Sequence, residues 1–170
     1  MNDRILVTYA TRMGSTIDVA AAIGEALSAS GFSVDVRPIK ENLRISGYQA
    51  VFIGSAVQYG QWLPEAVDFV KSNQHALNQV PVALFSVHIQ NLGNDEKSRQ
   101  HRLAYLNAVR PFLQPMAEGF FAGRFDRRGA TLLLPGLLAR FIPAQDLRDW
   151  KKIRAWAAAL KPCLETRLEA

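Results

Sequence analysis

The alternation of short apolar runs with longer amphipathic ones constrains the fold of this chain most. Five of the apolar runs have the length and composition of strands. They cover 4–9, 32–37, 49–54, 80–87 and 118–125. The first, third and fourth are almost continuously apolar, which is typical of parallel strands that are covered on both faces. The second alternates apolar and polar residues, which indicates an edge strand.

The amphipathic runs predict helices between these strands. They cover 15–29, 64–77, 98–114 and a last helix that begins in QDLRDW, where Asp146 and Asp149 have the spacing of a capping box. Alternating strands and helices predict an α/β protein with a parallel sheet, right-handed crossovers and helices on both faces. With the second strand at an edge, we expect a three-layer doubly wound fold with strand order 2-1-3-4-5. A length of 170 residues predicts a single domain over 1–170.

The loop between the first strand and the first helix has the composition of a phosphate site. It reads Thr11, Arg12, Met13, Gly14, Ser15, Thr16. A helix start offers free N–H groups and the positive end of the helix dipole, and the hydroxyls add donors. The loop lacks the Gly-Lys-Ser/Thr of a Walker sequence and the three glycines of a dinucleotide fingerprint. A mononucleotide phosphate bound without a metal fits best, and a helix start without a ligand is the alternative.

Charge is distributed unevenly along the chain. Residues 1–90 hold six Lys and Arg against seven Asp and Glu, whereas residues 91–170 hold fourteen against eight. The basic half indicates an anionic partner, namely a membrane surface, an acidic small molecule or nucleic acid, or else a solvated basic surface. A single cysteine, Cys163, excludes an internal disulfide framework. Without a leader pattern or an apolar run of about 18 residues, we expect a cytoplasmic protein.

The phosphate loop resembles that of the flavodoxin-like family. The family pattern is an aromatic residue, then Ser or Thr, a small residue, Thr and Ala at fixed spacing. Its positions are occupied by Tyr9, Thr11, Gly14, Thr16 and Ala20. Thr8 departs from the pattern, because an apolar or aromatic residue is usual there. The resemblance implies that FMN binds with its phosphate in this loop. It also implies that the flavin N5 does the chemistry, with no catalytic side chain and no metal.

Two further loops leave the same edge of the predicted sheet, at 54–67 and 86–95. The resemblance implies that both hold the flavin ring, with Tyr59 and Trp62 as candidates to flank it and Gly60 as the source of a carbonyl near N5. The alternative for the two aromatic residues is packing in the core or on the surface. The expected contacts are Ser55, Ala56, Val57, Gln58, Tyr59 and Gly60 in the first loop and Val87, His88, Ile89, Gln90 and Asn91 in the second.

Motifs outside these loops are similar to those of the menaquinone-dependent protoporphyrinogen dehydrogenases and their flavodoxin-domain relatives. In order they are TRMGST, IGSAVQYGQW, ALFSVHI, FFAGRFDRRG and DLRDWKKIRAWA. The resemblance implies an FMN-dependent oxidoreductase that takes hydride from protoporphyrinogen IX and passes electrons to a quinone. The short polar segment after SVHI departs from the subfamily. A flavodoxin-type electron carrier and an FMN-dependent quinone or nitro reductase stay open as alternatives. Simple carriers of the family are acidic, and a sequence pI near 9.7 fits them poorly.

Three arginines lie at the carboxyl end of the fifth predicted strand and precede an apolar stretch at 130–142. They are Arg124, Arg127 and Arg128. Basic residues beside an apolar segment are suited to an amphiphile with carboxylates or to a membrane surface. The resemblance implies a porphyrinogen as substrate and a quinone as acceptor, and with the basic cluster we expect peripheral contact with the inner face of the cell membrane and no nucleic acid. A core helix with a solvated basic flank is the alternative.

Overall fold

The computed structural model describes residues 4–125 and 143–168. The strands are β1 Arg4–Ala10, β2 Ser33–Pro38, β3 Ala50–Gln58, β4 Gln61–Trp62, β5 Val82–His88, β6 Ala117–Ala122, β7 Arg124–Phe125 and β8 Gln145–Asp146. The helices are α1 Ser15–Ala29, α2 Pro64–Ser72, α3 Gln74–Leu77, α4 Glu96–Ala104, α5 Trp150–Ala159 and α6 Lys161–Leu168.

Five parallel strands form the central sheet in the order β2-β1-β3-β5-β6. Numbered as the five predicted strands, this is the order 2-1-3-4-5, so the predicted doubly wound fold is confirmed. β4 is antiparallel to β3 and forms a short hairpin with it. β7 and β8 make a separate antiparallel ribbon. The carboxyl ends of β1, β3 and β5 therefore lie side by side at one edge of the sheet.

Alternating side chains on β1 divide the core into two layers. Ile5 and Val7 pack with apolar residues of α1, α5 and α6 on one face. Leu6 and Ala10 pack with α2, α3 and the segment 105–113 on the other face. Since successive side chains of a strand point to opposite faces, a continuously apolar strand is buried on both sides. The sheet thus forms the middle of three layers, as the sequence predicts.

Several predicted boundaries are wrong. The predicted helix 98–114 ends at Ala104, and residues 105–112 form a series of turns. Pro111 has no amide hydrogen and disfavours a helical conformation in the residue before it, so an uninterrupted helix through it is unfavourable. The predicted helix 64–77 is divided at Asn73 into α2 and α3. The last helix is capped by Asp149, whose side chain accepts a hydrogen bond from the Lys152 backbone N–H at 2.9 Å.

The predicted strand 118–125 is divided at Gly123. The Gly123 N–H donates to the His88 carbonyl oxygen at 2.8 Å, which prolongs the pairing with β5 by one residue. The next backbone N–H, from Arg124, donates instead to the Ser15 hydroxyl at 2.8 Å. The chain therefore leaves the sheet toward α1 and pairs with β8. Apolar periodicity does not reveal such a change of partner, because both strands keep extended backbone.

Gly54 allows the aromatic ring of Phe85 to lie against the backbone of β3. The two residues are register partners in neighbouring strands. A Cβ on Gly54 would lie 2.1 Å from two carbon atoms of the Phe85 ring, and Phe85 is completely buried. Because cores are close-packed, the ring has little room to move away. The contact between β3 and β5 therefore depends on the missing side chain.

We expect Gly54→Ala to lower the free energy of unfolding by about 1–3 kcal/mol, the usual cost of overpacking a core. Urea unfolding of the apoprotein measures this change. Phe85→Leu serves as the matched second variant, because it removes the ring atoms that the new methyl group meets. The double variant should be less destabilised than the sum of the two single variants. Additive changes would contradict the close contact.

Candidate functional site

A cleft of about 190 Å³ opens at the carboxyl edge of the sheet. Three loops surround it, those after β1, β3 and β5, which are the loops that the sequence predicts. The predicted residues that line it are Thr11, Arg12, Met13, Ser15, Thr16, Ala56, Val57, Gln58, Tyr59, Gly60, Val87, His88, Ile89 and Gln90. Gly14, Ser55 and Asn91 belong to the loops but are not part of the cleft lining.

Gly14 gives the phosphate loop its shape. It precedes α1 with φ of +84°, a left-handed conformation that side chains with a Cβ rarely adopt. Its N–H donates to the Thr11 hydroxyl oxygen at 3.1 Å, which closes the loop on itself. No side chain caps α1. The first N–H groups of a helix have no partner within the helix, so the start of α1 favours an anion in the cleft.

The Thr16 hydroxyl is the clearest sign of a ligand. It is completely buried and its Oγ1 has no hydrogen-bond partner among the described residues, yet Thr16 lines the cleft. A buried hydroxyl without a partner costs about 1–3 kcal/mol. An anion held at the start of α1 would supply the missing acceptor. The donor set of helix N–H groups and a hydroxyl therefore fits the phosphate of FMN.

Ser15 connects this loop to β7, the segment that follows the edge strand β6. Its hydroxyl oxygen accepts a hydrogen bond from the backbone N–H of Arg124 at 2.8 Å. The hydroxyl keeps its own hydrogen available for donation, because the bond to Arg124 uses a lone pair. The cleft is thus bounded by β7 as well as by the three predicted loops.

Arg12 makes an ion pair across the cleft edge. Its guanidinium forms two hydrogen bonds to the Glu65 carboxylate in the first turn of α2, one of them at 2.9 Å. The hydrogen bond from Arg12 lowers the pKa of Glu65, and the same contact raises the pKa of Arg12. Arg12 therefore lies at the predicted site, but its charge is neutralised by Glu65. The pair holds the phosphate loop against α2.

The loop after β3 is a tight hairpin that presents Tyr59. Gln58 pairs with Gln61, and the two residues between them have positive φ, +53° at Tyr59 and +75° at Gly60. Such a type I′ turn favours Gly, Asn or Asp at both positions, so a tyrosine here is strained by about 1–2 kcal/mol. Tyr59 is 79% exposed at the cleft. A strained, exposed aromatic side chain beside a cleft is suited to stacking on a planar ligand.

Trp62 and Ser55 have structural roles. Trp62 is buried, and its Nε1–H donates to the Ser86 hydroxyl at 2.8 Å. The prediction that Trp62 flanks a flavin ring is therefore wrong, and its alternative of core packing is correct. Ser55 is buried and accepts a hydrogen bond from the Leu63 backbone N–H at 3.0 Å. It fixes the return of the hairpin toward α2 and does not line the cleft.

The loop after β5 is held by side-chain bonds beneath the cleft. Asn91 has φ of +57°, and its amide donates to the Tyr105 hydroxyl at 2.7 Å. The Asn91 carbonyl oxygen accepts from the Arg102 guanidinium at 2.5 Å. Asn91 therefore shapes the loop, whereas the sequence predicted it as a direct contact. His88 lines the cleft, and burial lowers its pKa to about 4, so its ring is neutral at pH 7.

Of the three predicted substrate arginines, the structure describes one. Arg124 lines the cleft, whereas Arg127, Arg128 and the stretch 130–142 lie outside the described residues. In the part of the chain that the structure describes, no helix has both the length and the apolar composition needed to cross a bilayer.

Sequence reasoning missed four residues that line the cleft. They are Leu63, Tyr105, Gly123 and Phe125. Tyr105 was hidden inside the predicted third helix, and Gly123 inside the predicted fifth strand. The glycine within FFAGRF was the available signal, since a glycine inside a strand pattern indicates a break or a close backbone approach.

Known proteins match this chain in sequence and in fold. The Flavodoxin domain family matches residues 6–133. The chain belongs to this family. Protoporphyrinogen IX dehydrogenase (quinone) of Escherichia coli strain K12 is 30% identical over 88 residues, which are 51% of this chain and 49% of that protein. The match thus spans about half the length of the curated relatives.

Solved flavodoxin structures share the fold. A flavodoxin from the domain Archaea has a TM-score of 0.57 at 14% identity, over 95% of this chain and 99% of that chain. A variant flavodoxin of Fusobacterium nucleatum, described as bound to flavin mononucleotide, has a TM-score of 0.50 at 15% identity. The alignment covers 67% of this chain and 66% of the Fusobacterium nucleatum chain. These similarities show a flavodoxin-like fold.

We expect Thr16→Val to weaken FMN binding at least about tenfold, because it removes a charge-assisted hydrogen bond. The apoprotein should keep its stability or gain some, since a buried hydroxyl without a partner is removed. Thr8→Val is the matched control, because Thr8 Oγ1 is also buried without a partner but does not line the cleft. Fluorescence titration with FMN gives the affinities. Equal affinities of the two variants would contradict a phosphate at Thr16.

We expect Tyr59→Asn to change stability and affinity in opposite directions. Asparagine tolerates positive φ, so the apoprotein should gain about 1 kcal/mol in its free energy of unfolding. FMN should bind more weakly and lose less of its fluorescence, because no aromatic ring stacks on it. Tyr59→Phe is the control and should match the parent protein in both measurements. A Tyr59→Asn protein with parental affinity and quenching would remove Tyr59 from the site.

Proposed function

We propose that this chain is an FMN-dependent oxidoreductase that dehydrogenates a porphyrinogen and passes the electrons to a quinone. The observation that carries the FMN assignment is the buried Thr16 hydroxyl, which lacks a partner beside the uncapped start of α1. Membership of the flavodoxin domain family and a structural neighbour described as bound to flavin mononucleotide support the same cofactor. The chemistry that FMN supplies when bound is acceptance of a hydride at N5 and release of electrons to an acceptor.

The residues of this chain would bind and orient the cofactor. The start of α1 and Thr16 would hold the phosphate, and the Arg12–Glu65 pair keeps the phosphate loop in place. Tyr59 would cover one face of the ring from the hairpin, and residues 87–90 also line the cleft. Since positioning is the contribution expected from protein groups in a flavin enzyme, no side chain needs to act as a nucleophile.

A porphyrinogen is the proposed substrate because of the curated relative and the basic rim. The relative is described as a protoporphyrinogen IX dehydrogenase that uses a quinone. Arg124 at the cleft presents a guanidinium, a group that binds carboxylates such as porphyrinogen propionates with two parallel hydrogen bonds. Arg127 and Arg128, which follow it in the sequence and lie outside the described residues, are further proposed contacts of the propionates. Contact of the rim with an anionic membrane surface, where quinones are dissolved, is part of the same proposal.

A flavodoxin-type electron carrier is the second candidate. Structures described as flavodoxins align with nearly the whole chain, and the archaeal one covers 95% of it. The net charge of +5 and sequence pI near 9.7 weigh against this candidate, because carriers of the family dock through acidic surfaces. An FMN-dependent quinone or nitro reductase with another donor would use the same cleft without a need for Arg124.

Anaerobic reduction distinguishes these functions. FMN-loaded protein mixed with protoporphyrinogen IX should lose the absorbance of oxidised flavin, and a menaquinone analogue should then restore it. Arg124→Gln should raise KM for the porphyrinogen with little change in kcat, as expected when uniform binding is lost. Arg37→Gln, on the edge strand β2 and away from the cleft, is the matched control. Stopped-flow absorbance measures both steps.

The possible negative results of this experiment lead to different conclusions about the function. A protein that binds FMN but is reduced only by a redox protein, and not by the porphyrinogen, is a carrier. Reduction by a nicotinamide cofactor followed by quinone turnover, again without the porphyrinogen, indicates a quinone reductase. A protein that binds no FMN contradicts every one of these functions.

A further inference from the structure

His88 is a buried ionisable side chain in the cleft to which the proposed function gives no role. It is the last residue of β5, and 4% of its surface is exposed. Its carbonyl oxygen accepts the Gly123 N–H at 2.8 Å, so the backbone is held from the side of β6. The imidazole packs on Tyr105 with ring centroids 5.4 Å apart. The side chain is therefore fixed at the point where β5 meets the cleft.

The hydrogen bond at one ring nitrogen determines the tautomer. Nδ1 of His88 lies 2.6 Å from the Gln90 carbonyl oxygen. A carbonyl oxygen only accepts, so Nδ1 carries the hydrogen and donates it. In the neutral ring Nε2 then has a free lone pair. His88 is thus a base with one defined nitrogen available for a proton.

The surroundings keep His88 neutral while the cleft holds no ligand. Burial is the main cause that lowers its pKa from 6.5 to about 4, and the positive charges of Arg102 and Lys152 lower it further. The hydrogen bond to Gln90 opposes this change. Arg12, paired with Glu65, and Arg124 are further charged groups at the same cleft. A new negative charge in the cleft would reverse the balance, because an opposite charge within about 4–6 Å favours the protonated ring.

We propose that His88 holds the second proton of each two-electron transfer in this cleft, an inference that rests on the proposed function. A dehydrogenated donor gives up a hydride and a proton. FMN, when bound, would supply the acceptor for the hydride with its two electrons and negative charge, and the proton released by the donor would form an N–H bond at Nε2 of His88. When a quinone takes two electrons and two protons, one proton comes from the hydride and the other from His88. The imidazole then returns to its neutral form.

The imidazole signals of the protein measure this proton directly. The chain has three histidines, His75, His88 and His101, so NMR of histidine-labelled protein resolves them, and His88→Asn assigns the signal. In the apoprotein His88 should titrate at about pH 4. On reduction of the FMN complex with dithionite, its midpoint should rise by roughly 2 units above that of the oxidised complex, with Arg124 offsetting part of the new charge. The exposed side chain of His75, on α3 and outside the cleft lining, gives the reference signal.

Proton uptake on reduction gives a second, independent measurement. At a pH between the His88 midpoints of the oxidised and the reduced complex, the parent protein should take up more protons per electron pair than His88→Asn, which keeps a donor for the Gln90 carbonyl but cannot be protonated. His75→Asn should behave as the parent protein does. A reduced FMN complex whose His88 still titrates near pH 4 would overturn the inference and leave the proposed function intact. Absence of FMN binding would overturn both.

Discussion

Parallel pairing of β1 with β3 is the constraint on which the site depends. From these two neighbouring strands the chain proceeds in opposite directions, to β2 through α1 and to β5 through α2 and α3. Right-handed crossovers then place α1 and α2 on opposite faces of the sheet. The loops that follow the two strands separate, and a crevice is left between them. The start of α1 and the hairpin with Tyr59 lie at this crevice, because they directly follow β1 and β3 in the chain.

Some residues of the cleft are in energetically unfavourable arrangements, and the stability of the rest of the fold compensates for them. Tyr59 has left-handed backbone, and the Thr16 hydroxyl lacks a partner among the described residues. Each of these two features costs about 1–3 kcal/mol, whereas Gly14 adopts left-handed backbone without strain. The buried sheet, whose strands β1, β3 and β5 are apolar on both faces, provides the stability that holds them in place. A site prepared in this way loses little entropy when it binds a ligand, since its groups are already ordered.

Residues at the carboxyl ends of strands were predictable, whereas side-chain direction was not. Thr11, Thr16 and His88 could be placed in one site because parallel strands end at a common edge. Trp62 was expected in the same site, but its indole bonds to Ser86 in the core. Sequence spacing could not show whether the Trp62 side chain faces the cleft or the core, because β4 reverses the chain after a two-residue turn. Likewise Ser55 and Asn91 bind neighbouring backbone or side chains rather than line the cleft.

By itself the sequence determined the α/β class, the strand order and the place of the loop 11–16 at the cleft, since these follow from apolar periodicity and from a local pattern of small and hydroxyl residues. Only the tertiary structure decided where the fifth strand breaks, that Arg12 is paired with Glu65, and that His88 is buried and neutral. Each of these facts depends on a partner far away in the sequence. Ser15 and Arg124, which close the cleft, are 109 residues apart. Local patterns carry no information about such contacts, and the packing of the sheet creates them.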